Sequence, residues 1–101
     1  MNANLQALLA QRFRVKIVTL TILVSDWSGR DYYYYDDDLM FATDYMARIL
    51  PIPSSQEFID HYVTCEGAGT RQVSGVYRGY ALFRCASLPN DTLTFPVLIL
   101  Y

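Results

Sequence analysis

The chain of 101 residues is 52% hydrophobic and its two cysteines lack a C-x-x-C spacing, which suffices for one core and excludes a disulfide-stapled or zinc-stapled scaffold. A net charge of −2 and a pI near 5.1 argue against direct nucleic-acid binding, because so few cations release few counterions. The acidity is concentrated: residues 31–66 carry eight acidic side chains against Arg48 alone, whereas residues 1–30 and 67–101 are each net basic.

From the N-terminus, Asn2 or Asn4 caps a short predicted helix through Gln11, with Leu5, Leu8 and Leu9 on one face. The start has neither the basic residues nor the cleavage site of a signal peptide. The longest apolar run, Ile17 to Val24, is far shorter than the ~20 residues a membrane helix needs. A cytoplasmic protein without membrane contact is expected. Phe13 to Val24 reads as a long strand, with Phe13, Val15 and Ile17 on one face. Val18, Leu20, Ile22 and Val24 continue the face that begins with Arg14 and Lys16. After a turn at Ser28-Gly29 comes RDYYYYDDDL, Arg30 to Leu39. Strand alternation there sends Tyr32 and Tyr34 to one side and Tyr33 and Tyr35 to the other, so half of the run is exposed.

Asp36, Asp37 and Asp38 suit the opening of a helix to about Leu50, where free amides and the macrodipole favour carboxylates. Leu39, Ala42, Met46 and Ile49 form its buried stripe, and Asp44 and Arg48 an i,i+4 pair. Pro51 and Pro53 stop it. Ser54 with Glu57 makes a capping box for a second helix, through Phe58, Ile59 and Tyr62 to the Gly67-Ala68-Gly69 break. From Thr70 onward the period is two: Val76, Arg78, Tyr80, Leu82 and Arg84 alternate with Tyr77, Gly79, Ala81, Phe83 and Cys85. Ser74-Gly75 is a turn or a bulge, and Thr92 to Tyr101 a last strand in which Pro96 indicates an edge position or a bulge. The expected fold is α+β: a single domain over residues 1–101, a mostly antiparallel sheet of about four strands, and two to three helices packed on one side.

No catalytic or cofactor motif is present, so a non-enzymatic protein without cofactor is expected. Three consecutive aspartates on a helix point ~100 degrees apart and do not converge on a metal ion. His61 and Cys65 are helical neighbours at i,i+4, but Glu57, Asp60 and Glu66 raise a thiol pKa instead of lowering it. Arg14, Lys16, Arg71, Arg78 and Arg84 with Tyr77 or Tyr80 suggest a nucleic-acid face, against which the low charge stands. Cys65 and Cys85 read as a reduced, buried pair, with a bridge between them as the open alternative.

The tyrosines and aspartates together point to docking. Tyrosine brings contact area and an edge hydroxyl to interface cores, and carboxylates steer a basic partner. The expected contact set is Asp31, Tyr33, Tyr35, Asp36, Asp37 and Asp38, extended by Asp44, Glu57 and Asp60. The expected partner is a basic, nucleic-acid-binding protein whose site an acidic domain covers, making the chain an inhibitor. In size, acidity and lack of catalytic residues it is similar to small inhibitors encoded by phages and mobile elements, anti-CRISPR proteins among them, and to nuclease immunity proteins. An immunity or antitoxin role is the related alternative. The runner-up is a structural or assembly homodimer joined through a C-terminal edge strand, TFPVLILY.

Overall fold

Runs of β-branched and aromatic residues dominate the chain, and among the described residues they form six strands in two antiparallel sheets. The computed structural model describes residues 14–42 and 44–101. The helix expected from Asn2 or Asn4 to Gln11 lies outside the described residues. The strands are β1 (Val15–Leu23), β2 (Asp31–Tyr35), β3 (Ile49–Pro51), β4 (Val63–Val73), β5 (Val76–Cys85) and β6 (Thr92–Leu100). Two short helices, α1 (Tyr45–Arg48) and α2 (Gln56–His61), join 3-10 turns at Val24–Asp26 and Asp37–Leu39.

The order is β1-β6-β3 in one sheet and β2-β5-β4 in the other. The sheets stack face to face: Phe95 of β6 meets Phe83 of β5 edge-on at 6.2 Å, and β3 packs on β4. A smallest extent of 17 Å fits two layers ~10 Å apart. Leu20 and Ile22 from β1, Leu93, Phe95 and Ile99 from β6, and Ala81, Phe83 and Cys85 from β5 fill the space between. Each fully buried phenylalanine among Phe58, Phe83 and Phe95 contributes roughly 2–3 kcal/mol.

The single sheet of about four strands with helices on one side is therefore corrected to two sheets of three, because segments read as helical are strands. Asp36 to Leu50 yields one 3-10 turn, one turn of α1, and β3. Its aspartates do cap, since Asp36 Oδ1 accepts the Asp38 amide at 3.0 Å. The turn, however, is drawn onto β5: the Asp36 amide donates to the Gly79 carbonyl, and Asp37 Oδ1 accepts the Gly79 amide. Gly79 permits this approach, because a Cβ there would overlap the Asp36 carbonyl and come within 2.7 Å of the Met40 amide nitrogen.

The second helix ends at His61, with Tyr62 at φ +37°, and Val63 begins a strand that carries Gly67-Ala68-Gly69 in its middle. Its N-cap is Ser55, not Ser54, accepting the Phe58 amide at 3.1 Å. Ser74 and Gly75, both at positive φ, make the two-residue turn between β4 and β5.

Pro96 does not mark an edge: β6 is the central strand of its sheet. The Pro96 carbonyl accepts the Ile52 amide at 2.8 Å, so its nitrogen also faces the β3 side, just past the point where that three-residue strand ends. The donor that proline lacks is thus missing only at the end of that ladder, opposite Ile52. β6 is therefore not the open edge strand that the homodimer reading expected, being paired with β1 along its length and with β3 at Val97, Leu98 and Ile99.

Candidate functional site

In β2 the alternation read from the sequence holds. Tyr32 and Tyr34 lie opposite Phe83 and Ala81 and pack against the core, while Asp31, Tyr33 and Tyr35 lie opposite Arg84, Leu82 and Tyr80 on the outer face. Tyr33 stacks on Tyr35 with ring centroids 6.4 Å apart and tilts against Tyr80 at 5.8 Å. The Arg71 guanidinium sits 4.1 Å from the centre of the Tyr33 ring. Tyr33 is 38% exposed. The outer face of β2-β5-β4 thus presents an aromatic cluster whose members brace one another.

The aspartates come together at this face but are paired within the chain. Asp31 accepts from Arg84 at 2.8 Å, Asp37 from Arg78 at 2.9 Å, and Lys16 bridges Asp36 at 2.5 Å and Asp38 at 2.7 Å. The Arg84 guanidinium holds the Asp31 carboxyl below its usual value, and Arg78 with the Gly79 amide does the same for Asp37. Burial works against the Asp36 charge, but Lys16, the Asp38 amide and the Tyr34 hydroxyl, which donates at 2.9 Å, outweigh it and lower its pKa. Tyr34 is pushed up to about 12, by burial first and then by Asp36. Burial alone would lower Lys16, yet its two carboxylates raise it. Since Lys16 belongs to β1, this cluster also ties the two sheets together at one end. Three cations answer four carboxylates, so the local field is much weaker than the sequence count of aspartates implies.

The other expected contact residues are not gathered here. Asp44 pairs with Arg48 at 3.1 Å ahead of α1. Glu57 and Asp60 lie on α2, which packs Phe58 against Phe95 of the opposite sheet. The His61 carbonyl accepts the Ala86 amide, seven residues along the chain from Gly79, where Asp37 docks. At ~3.3 Å per strand residue, that places α2 toward the opposite end of β5. Tyr80, Leu82 and Arg71 were not expected in the set; the signal for Tyr80 and Leu82 was the period-two pattern of residues 76–85, which becomes legible once β5 is set beside β2, whereas Arg71 reaches the face from β4.

The His61 and Cys65 pairing is also undone, because the helix stops at His61 and Cys65 belongs to β4. His61 Nδ1 lies 3.1 Å from Ser87 Oγ. Burial pushes the Cys65 thiol up to about 11, which disfavours the thiolate at neutral pH. Cys65 and Cys85 are free thiols.

Among the described residues, no three histidine, cysteine, aspartate or glutamate side chains are grouped to hold a metal. A groove of about 210 Å³ opens between β3 and β4, lined by Met46, Ile49, Leu50, Val63 and Cys65 among others. That is smaller than the ~300 Å³ at which small-molecule sites begin. No helix among the described residues is long and apolar enough to cross a membrane. Comparison with protein-family models, with curated proteins and with solved structures gives no significant match.

Proposed function

We propose that this chain is a non-enzymatic docking protein that binds another protein through the outer face of β2-β5-β4. The observation that carries the reading is the cluster of Tyr33, Tyr35 and Tyr80, held together on the solvent side of a rigid sheet. Aromatic side chains fixed in advance lose little entropy on binding, and their exposed edges carry hydroxyls for a partner's backbone. In interfaces such residues form the contact core within a polar rim, and here Asp31, Asp37, Arg78 and Arg84 surround them. The test is a pulldown from the source cell's lysate, with wild type and a Tyr33→Ala, Tyr80→Ala variant of equal thermal stability. A partner recovered by wild type alone supports docking. Identical recovery by both overturns it.

One observation favours a second reading, an inhibitor that covers the nucleic-acid site of a basic protein. Asp37 and Asp38 remain 61% and 43% exposed at the edge of this face. Surface ion pairs are worth only ~0–1 kcal/mol, so a partner's lysines or arginines can displace Arg78 and Lys16. Under this reading, Asp37→Asn with Asp38→Asn lowers the association rate and flattens its salt dependence; an unchanged salt dependence counts against it.

A further inference from the structure

We infer that the partner of the tyrosine face presents a carboxylate to Arg71, an inference that rests on the docking reading. Arg71 lies opposite Arg78 in the β4-β5 ladder, whereas Tyr33 lies opposite Leu82, four residues further along β5 and on the far strand of the sheet. To place its guanidinium on the Tyr33 ring, the Arg71 side chain must cross the sheet diagonally. Gly67 and Gly69, the outward positions of β4 before it, add no side chain to this part of the face. Gly69, at φ +147°, has open space where a Cβ would be.

The ring supports one face of the guanidinium and leaves its N–H edge uncommitted. Among the described residues no carboxylate pairs with Arg71, while Arg78 and Arg84 are satisfied by Asp37 and Asp31. Glu66, the remaining acid of β4 near this face, accepts from Thr64 at 2.7 Å and acts on Arg84 instead. At this end Arg71, Arg78 and Lys16 stand against Asp36, Asp37 and Asp38, so the charges balance overall while Arg71 has no carboxylate of its own among the described residues. A planar fork held in place suits a bidentate carboxylate. The complementary partner is a protein segment with Glu or Asp beside an apolar residue that covers Leu82. A nucleic acid fits less well, because Arg71 and Tyr35 already engage the Tyr33 ring on which a base would stack.

The experiment uses the full chain and three probes: a decapeptide of glutamate, leucine and glycine, its counterpart with lysine for every glutamate, and oligo-dT of ten nucleotides. Binding is followed by NMR shifts of the Arg71 Nε–H and the tyrosine rings. The expected result is binding of the glutamate peptide at least tenfold tighter than either other probe. Arg71→Gln should remove that preference and Arg71→Glu invert it, both with an unchanged thermal midpoint. A lysine peptide that binds the tyrosine face equally well overturns this inference but leaves docking standing. So does a glutamate preference that survives Arg71→Gln. Oligo-dT as the tightest probe overturns it in favour of nucleic acid, and silence of the tyrosine face toward all three probes overturns both readings.

Discussion

Tyr32 and Tyr34 differ from Tyr33 and Tyr35 by one position in the chain, yet the two pairs serve opposite sides of the same strand. Tyr34 tilts against Phe83 in the core and donates its hydroxyl to Asp36, which Lys16 ties to the other sheet. Tyr33 meets Tyr35, Tyr80 and Arg71 on the solvent side. Identical side chains thus hold the sandwich together on one face and remain available for contact on the other. What separates them is the period of the strand and what lies above and below it.

The widest separation should come from alanine scanning. Tyr34→Ala should cost about 2–4 kcal/mol in chemical denaturation, through lost core packing and a carboxylate left short of a donor. Tyr33→Ala should cost under about 1 kcal/mol and act on binding instead. Comparable losses at both positions would erase the distinction.

Next in size is Gly79→Ala, expected to cost about 1–3 kcal/mol, because a methyl group there meets the backbone of Asp36 and Met40. Amide exchange should show the loss centred on residues 36–42, leaving the β1-β6 ladder protected.

Lys16→Met tests whether the inward side of β2 depends on the link between sheets. It should cost about 1 kcal/mol and raise the Asp36 pKa, readable from the carboxyl ¹³C shift during a pH titration.

The smallest effect is the pH dependence of the wild type. Asp36 titrates below its ordinary 3.8 when folded. Its contribution is therefore complete above that value and disappears as pH falls through the folded pKa. Tyr34 is raised from 10.0 to about 12, so its contribution is complete below pH ~10 and fades above it. Urea midpoints should be flat between these limits and fall outside them, and in Tyr34→Phe the alkaline fall should shrink.

The strands were readable wherever their partners share the same period. Tyr32 to Tyr35 and Val76 to Cys85 alternate plainly, and Leu20 and Ile22 turned inward as their positions implied. The helix expected from Asp36 to Leu50 failed because its capping signals were real but its hydrogen bonds went to Gly79, 42 residues from Asp37 in sequence. The stretch from Val63 to Gly69 failed for a related reason. Its glycines looked like a helix stop, and they sit instead in the middle of β4, opposite Leu82 and Tyr80 of β5.

The sequence by itself determined that there is one apolar core, that the tyrosine run splits between two faces, and that the acidic residues cluster beside it, since composition and strand period are local properties of the chain. Only the tertiary structure decided that the core lies between two sheets, that Pro96 sits in a central strand, and that the aspartates are neutralised by Lys16, Arg78 and Arg84. Those outcomes depend on which distant segments meet, because a charge or a backbone donor is defined by its partner and the sequence does not name the partner.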